Sequence, residues 1–519
     1  MSNGNTRTKN SVRNISFGLV AQVIQMVLGF VSRTVFIKYL SAEYLGVSSL
    51  FSNILMMLSL AELGIASAFI YELYKPLSEK NHEQTAVILR YFKKAYYTVG
   101  ICVFVTGLLL IPFLDNIIGQ KPATITEDIR VIYLMYIIST SSSYFFSYKI
   151  SMLDADQKIS VSTFNSMKFL IGQNIVQILV LIFTHNFLLY LGVQIISQFL
   201  SNLFISRIVN RNYSYLSKYK EVKINPDVKK NVINNVKATF FTKIGGVLVN
   251  GTDNIFISSF VGLALLGQYS NYVMLFGLIS SFLMIIFANI KSSVAHFIIH
   301  ESLEKQREIF RTINFLNFIC FGLSSLLIYF CINDFISIWI GDGFVMSSYI
   351  PMMLAINFFM VGMQNGFWTF KVSYGYFQQG KYMVLGTAAI NLVLSYFLGK
   401  EYGIAGIITA TAFSRLVTNF WYDPFIVLTK GLKQNPLRYM YRFFTYILVL
   451  IISSVIVYFI FKMIDVTLWL QILLKIIVVS LVTATVVFII LGRSSELKNS
   501  IVFLKRIPVV NKIFSKKQL

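Results

Sequence analysis

The chain has 519 residues, of which 56% are apolar and 15% aromatic, with only 13% charged; a soluble domain carries roughly a quarter charged residues, so a fold immersed wholly in water is excluded. Three scattered cysteines, Cys102, Cys320 and Cys331, make neither a disulfide framework nor a metal spacing. The formal net charge of +23 would suggest nucleic acid as a partner of a soluble protein, but here the basic residues fall between apolar runs and report topology, with no nucleic acid implied.

The polar, basic segment Met1–Asn14 precedes an apolar run too long for a signal-peptide core and without a small-residue cleavage site; it is read as a retained first span. Apolar stretches long enough to cross a hydrocarbon core of roughly 30 Å then recur along the chain. The length criterion gives about fourteen spans, near residues 15–40, 45–74, 95–114, 129–149, 161–184, 187–209, 236–260, 263–290, 312–333, 349–371, 382–399, 403–429, 441–463 and 468–491. A helix satisfies its own backbone polar groups in lipid and an open sheet does not. The predicted fold class is therefore an all-α polytopic membrane protein.

Lys and Arg alternate along this series. The N-terminus holds Arg7, Lys9 and Arg13, the second connection Lys75, Lys80, Arg90, Lys93 and Lys94, and the fourth with its flanks Lys149, Lys158 and Lys168. The long sixth connection, the eighth, the tenth with Lys371 and Lys381, the twelfth and the tail beyond Arg493 are basic as well. Odd-numbered connections are short and several are acidic, with Asp115, Glu127, Asp128, Asp334 and Asp342. Basic loops stay in the cytoplasm, which predicts an even span count with both termini cytoplasmic and a surface suited to anionic membrane lipids. The short outer loops leave no room for an external catalytic domain.

An internal repeat divides the chain. FIKYLSAEYLG at Phe36–Gly46 has a counterpart in FISSFVGLALLG at Phe256–Gly267, KIS at Lys149–Ser151 in KVS at Lys371–Ser373, and LGV at Leu191–Val193 in YGI at Tyr402–Ile404. Halves of six spans each run in the same sense and are related by an axis along the membrane normal. The expected domains are an N-terminal lobe at 1–209, a cytoplasmic connection at 210–235, a C-terminal lobe at 236–430, and two further spans with a basic tail at 431–519.

The stretch EYLGVSSLFSNILMMLSLAELGIASAFIYELYKPLSEKN, Glu43–Asn81, resembles the second-span signature of the Wzx-type polysaccharide flippases of the MOP (MATE-like) superfamily. TDNIFISSFVGLALLGQYSNYVML, Thr252–Leu275, resembles their seventh-to-eighth span signature. The resemblance implies a MATE-like two-lobed 6+6 bundle with two added C-terminal helices, working by alternating access. It implies as cargo an oligosaccharide repeat unit on undecaprenyl diphosphate, turned to the outer leaflet of a bacterial plasma membrane. Partners would be that lipid-linked anionic oligosaccharide, membrane lipids, an H+ or Na+ gradient, and the polymerase and glycosyltransferases of the pathway.

A diphosphate cannot cross hydrocarbon unaided, so cations within spans are the candidate substrate-binding groups: Arg33, Lys243 and Arg415. Ionisable groups in spans face a bundle interior or a wet cavity, because facing lipid costs roughly 3 kcal/mol or more, and Arg matches phosphate through paired donors. Lys243 equally fits a snorkelling role at the headgroups. Arg33 and Asp253 occupy equivalent repeat positions, which makes them candidates for a gate, or else two separately solvated charges. Glu62, in the ELG motif of the second span, is either an ion-coupling carboxylate or a structural one that caps a helix or pairs with a cation such as Arg33. Lys149 and Lys371 read as topology anchors. No GxxxxGK[ST], HExxH or GxSxG motif occurs, so no catalytic residue, metal or cofactor is assigned and the protein is expected not to be an enzyme. The alternatives are a MATE-type multidrug or small-molecule exporter, a lipid II flippase and, from a different class, a membrane polysaccharide polymerase.

Overall fold

The computed structural model describes residues 2–62, 64–219, 226–376, 379–463 and 467–505. Among them there are only helices and turns. The basic end of the tail, 506–519, and a stretch of the sixth connection, 220–225, lie outside the described residues. The chain divides into two compact units, Met1–Gly267 and Gln268–Leu519.

The first unit holds α1 (Ser2–Tyr39), α2 (Ala42–Leu58), α3 (Ile65–Ser78), α4 (His82–Leu110), the short α5 (Leu114–Ile118), α6 (Ile129–Ala155), α7 (Ile159–Thr184), α8 (Phe187–Asn212) and α9 (Pro226–Val261). Helices α4, α6 and α8 begin on Asn81, Asp128 and Asn186, whose side-chain oxygens accept from the backbone N–H of Gln84, Arg130 and Leu189. Each such oxygen satisfies one of the donors a first turn leaves open. The core is aromatic: Phe69 stacks on Phe92 at 4.2 Å between centroids, and Phe92 leans on Tyr96 at 4.8 Å. Helix α9, which the repeat assigns to the second half of the chain, packs here against α2, α3 and α5.

The second predicted span, 45–74, is not one helix. A 3-10 turn at Ser59–Glu62 separates α2 from α3, and Gly64 enters α3 with φ of 104°. That left-handed backbone suits glycine alone, and a Cβ at position 64 would stand 2.7 Å from the Thr239 side chain on α9. The ELG motif is thus a helix break wedged against a neighbouring helix.

The second unit contains most of α10 (Leu263–His300), then α11 (Leu303–Ile340), α12 (Tyr349–Ser373), α13 (Lys381–Val417), α14 (Asn419–Ile426), α15 (Pro436–Lys462), α16 (Leu468–Leu491) and α17 (Ser495–Lys505). Phe318 of α11 stacks on Tyr446 of α15 at 4.2 Å. Helix α13 covers the eleventh predicted span and the first part of the twelfth, and is interrupted at Gly403 (φ 58°, ψ −136°). The twelfth predicted span breaks again at Thr418 (φ −121°, ψ −99°) and ends in a π-helical turn at Val427–Gly431.

Two ion pairs are buried in this unit. Lys371 Nζ lies 2.6 Å from Asp423 Oδ1, with both side chains largely buried. Lys475 Nζ lies 2.5 Å from Asp334 Oδ2 and joins α16 to α11. Lys371, expected as a topology anchor at the headgroups, is instead held inside, because Asp423 on α14 neutralises it; a lone lysine at 4% exposure would carry the full cost of desolvation.

Among the described residues nine segments are long and apolar enough to cross a membrane. Their outward side chains are apolar, as with Ile101, Val105 and Leu109 on α4 or Leu473, Ile477 and Leu481 on α16, the arrangement lipid requires and water penalises. Helices α1, α6 and α9 and the broken pair α2–α3 are not among the nine. These four elements carry Arg33, the Ser139–Ser143 run, Asp253 and Glu62, while Arg415 lies on α13 within one of the nine.

Removing one partner of a buried pair strands the other charge, typically at about 3–5 kcal/mol. Asp423→Asn is therefore expected to lower the thermal unfolding midpoint of the detergent-purified protein strongly. Asp423→Leu combined with Lys371→Met is expected to recover most of that loss. A double variant no better than the single one would show that the pair contributes more than charge neutralisation.

Candidate functional site

Arg33 sits six residues from the end of α1, half-buried, with the phenols of Tyr136 on α6 and Tyr190 on α8 in electrostatic reach. Tyr136 pairs with the Ser48 hydroxyl and Tyr190 with that of Ser32. One guanidinium thus faces two phenols, each paired with a serine hydroxyl. Glu62, at the break between α2 and α3, accepts from the Tyr96 phenol at 3.1 Å, and Tyr144 is a second phenol on the same carboxylate. Asp253 is buried on α9 at 9% exposure. Lys243 lies on α9, but its side chain falls outside the described residues. In the second unit, Arg415 stands in the last turn of α13, and its carbonyl accepts from Thr418 N at 3.3 Å where the helix breaks. A broken helix at membrane depth exposes backbone groups, which is tolerated where protein or a watery cavity takes them up.

The turn between α1 and α2 meets the turn between α9 and α10, and this contact links the two copies of the repeat. A methyl group on Gly46 would overlap the carbonyl of Leu263, and one on Gly267 would overlap the carbonyl of Ala42. Gly46 and Gly267 close the two repeat motifs, and Ala42 and Leu263 occupy matching positions four residues earlier. The contact is therefore reciprocal: each copy offers a glycine to the other's carbonyl. Close backbone approach through small residues is how helices associate where no hydrophobic force drives them together, with Cα–H to carbonyl contacts adding a small term. A third glycine joins the seam: a methyl on Gly119, just past α5, would overlap the Ser259 carbonyl, while Ser259 Oγ donates to Ile117 O at 2.8 Å.

The following loop is latched over this seam. Glu43 accepts from Ala123 N at 3.0 Å, from Thr124 N at 2.7 Å and from Thr124 Oγ1 at 2.6 Å, and the Tyr44 phenol donates to Glu127. Partial burial pushes the Glu43 carboxyl up, but the hydrogen bonds from Thr124 and its neighbours outweigh it and hold the group below its usual value. Sequence reasoning misses this seam, because it shows Gly46 and Gly267 only as the ends of two similar motifs. The signal lies in the alignment of the two glycines, but a repeat announces equivalence and not contact.

The polysaccharide biosynthesis protein family matches residues 11–290. Among solved structures, the chain is similar to the lipid II flippase MurJ in an inward closed conformation, with 14% identity, a TM-score of 0.66, and 92% of this chain and 98% of that one covered. It is also similar to a multidrug resistance MATE family transporter of the MOP superfamily in its inward-facing conformation (12% identity, TM-score 0.55, 81% and 99% covered). A mutant of the Vibrio cholerae MATE transporter VcmN matches at 14% identity and a TM-score of 0.53, covering 84% of this chain and 99% of its own. These likenesses establish the MATE- and MurJ-like helical fold. No curated protein sequence matches the chain.

Adding a methyl at Gly46 or Gly267 has to push a pair of backbones apart, and overpacking of this kind costs about 1–3 kcal/mol. Gly46→Ala and Gly267→Ala are each expected to lower the unfolding midpoint. The double variant is expected to fall by less than the sum, because one displacement relieves both overlaps. Strict additivity would mean that the two contacts are independent. At the latch, a carboxyl held below its unfolded pKa stabilises fully above the usual value of 4.5 and progressively less as pH falls below it. Exchange protection of the Ala123 and Thr124 amides, corrected for intrinsic rates, should fall as the pH drops below 4.5 in the wild type. In Glu43→Gln it should be low throughout.

Proposed function

Since the chain belongs to the polysaccharide biosynthesis protein family, we propose that this multi-pass membrane transporter carries undecaprenyl-diphosphate-linked oligosaccharide repeat units from the cytoplasmic to the outer leaflet of a bacterial plasma membrane. The observation that carries the reading is the placement of Arg33 and Arg415 within membrane-depth helices, the one among tyrosine and serine hydroxyls and the other at a helix break. Guanidinium groups in that setting answer a diphosphate, and hydroxyls answer a sugar. The same groups suit cationic drugs poorly. The prenyl tail needs no escort, since it stays in lipid throughout.

Both termini and the basic connections lie in the cytoplasm in this reading, with about fourteen spans in all. The lobes are residues 1–209 and 236–430, joined by the 210–235 connection, with 431–519 appended. The contact between the α1–α2 and α9–α10 turns then lies at the outer face and closes the exit, with Asp253 on α9 and Arg33 on α1 as the candidate gate charges behind it. Glu62, bound by phenols at a helix break, is the carboxylate best placed to exchange a proton or sodium ion as the gradient drives the cycle.

Depletion of the protein should leave lipid-linked repeat units on the inner leaflet, read by leaflet-resolved labelling of the sugar. Arg415→Ala should lower outward transfer by about tenfold or more, and Arg415→Lys should recover only a fraction of it, because a lysine lacks the paired donors. Unchanged sugar labelling at the outer leaflet on depletion would remove the reading, and drug resistance on overexpression would replace it with an exporter.

A further inference from the structure

At the foot of the second unit, α11, α15 and α17 enclose a cavity of about 310 Å³. Arg311, Arg438 and Arg442 line it together with Ser494, Ser495 and Glu496, which sets three guanidinium groups against one carboxylate. Arg442 Nη2 donates to Glu496 Oε2 at 2.5 Å, while its buried Nε has no hydrogen-bond partner. Among the described residues no acidic side chain is ion-paired with Arg311 or Arg438. The hydroxyls sit at the start of α17, where Ser494 Oγ accepts from Leu497 N at 3.3 Å and the helix dipole adds to the positive field.

The walls are fixed independently of any occupant. Asn499 of α17 donates to Glu308 Oε1 of α11 at 2.9 Å, and Arg307 donates to the carbonyls of Leu432 and Lys433 at 2.9 and 2.7 Å, which pins the turn entering α15. Above the cavity, α15 presents Leu437, Tyr441, Phe444, Leu448 and Ile451 as exposed residues at spacings of four and three, a continuous apolar stripe along one face. Tyr441 belongs to both stripe and cavity.

We propose that this cavity binds the anionic phosphate headgroup of a membrane lipid, with one of the lipid's chains laid along the α15 stripe. Forked guanidinium donors and neighbouring hydroxyls match phosphate oxygens, and the excess positive charge selects a lipid with net negative charge over a zwitterionic one. A soluble phosphate would use the cavity but leave the stripe uncovered. The site stands apart from what the protein carries, so its failure leaves the flippase reading intact, and the reverse holds as well.

Native mass spectrometry of the full chain in neutral detergent, titrated with dioleoyl phosphatidylglycerol, dioleoyl phosphatidylcholine or undecaprenyl monophosphate, tests this. Phosphatidylglycerol should be retained well above phosphatidylcholine. Its retention should weaken about tenfold or more in Arg311→Ala/Arg438→Ala, since each lost charge-assisted contact is worth about one such factor. Arg438→Glu, a change at an exposed position with little consequence for folding, should lose phosphatidylglycerol likewise. Preference for phosphatidylglycerol over undecaprenyl monophosphate upholds a resident phospholipid, and the opposite preference overturns it by making the cavity a site for the prenyl cargo's anionic end. Equal retention of phosphatidylcholine, or phosphatidylglycerol binding unchanged in both variants, overturns it.

Discussion

A carbonyl oxygen and a methyl group cannot share the same space, and at Gly46 and Gly267 the absence of that methyl lets two helix turns meet backbone to backbone. Much of the first unit is arranged around this meeting. Helix α9 is held against α2, α3 and α5, the Gly119 turn closes on Ser259, and the loop behind it is clamped by Glu43. Because the contact is made by main-chain atoms, it has no side-chain freedom with which to adapt, so it is either fully formed or broken. Packed interfaces of that kind switch between discrete states and do not yield gradually. A transporter that must open and close one face without leaking needs that property.

Lipid imposes a division between the outward and the inward side chains of each helix. The long, strongly apolar helices, such as α15 and α16, present Leu, Ile, Val and Phe outward. Charges within such helices turn inward, as where Lys475 of α16 meets Asp334 of α11. Glu62 and Arg415 each lie at an interruption, one at a 3-10 turn and the other two residues before Val417 ends α13. An interruption frees backbone groups that hydrocarbon cannot satisfy, so it needs side chains that can: Ser59 Oγ donates to the Leu55 carbonyl at 2.7 Å, and Thr418 Oγ1 donates to the Ser414 carbonyl at 2.6 Å.

How much of this is legible in the sequence follows from the range of the interactions involved. Apolar length is a local property, and it yields the all-helical membrane class and most helix positions; the alternation of basic residues is nearly as local. The break flanked by Glu62 and Gly64 is an intermediate case: the glycine is visible, but nothing local says that α9 presses on it with Thr239. The ion pairs are beyond reach, since Lys371 and Asp423 lie fifty-two residues apart and a lysine at a span end normally marks the headgroups. The loop latch is likewise non-local, joining Glu43 to Thr124 across eighty-one residues. The two signature stretches are the strongest functional signal because they condense such long-range constraints into short strings.

The repeat also shows where the halves have diverged. Lys149 and Lys371 are equivalent in sequence, and each reaches the partner that the later helices of its own half supply. Lys149 Nζ meets the Ser206 hydroxyl at 2.5 Å, and Lys371 Nζ meets the Asp423 carboxylate at 2.6 Å. A hydroxyl orients an ammonium group without neutralising it, whereas a carboxylate cancels its net charge and leaves only a dipole field that fades faster with distance. The first half therefore keeps a net cation at this position, next to the Tyr148 ring, and the second half does not. In the second half positive charge gathers elsewhere, on Arg311, Arg438 and Arg442 around the foot of α15. Two halves built on one pattern thus carry different electrostatics at equivalent positions, and a cargo with a single charged end has a reason to engage one half before the other.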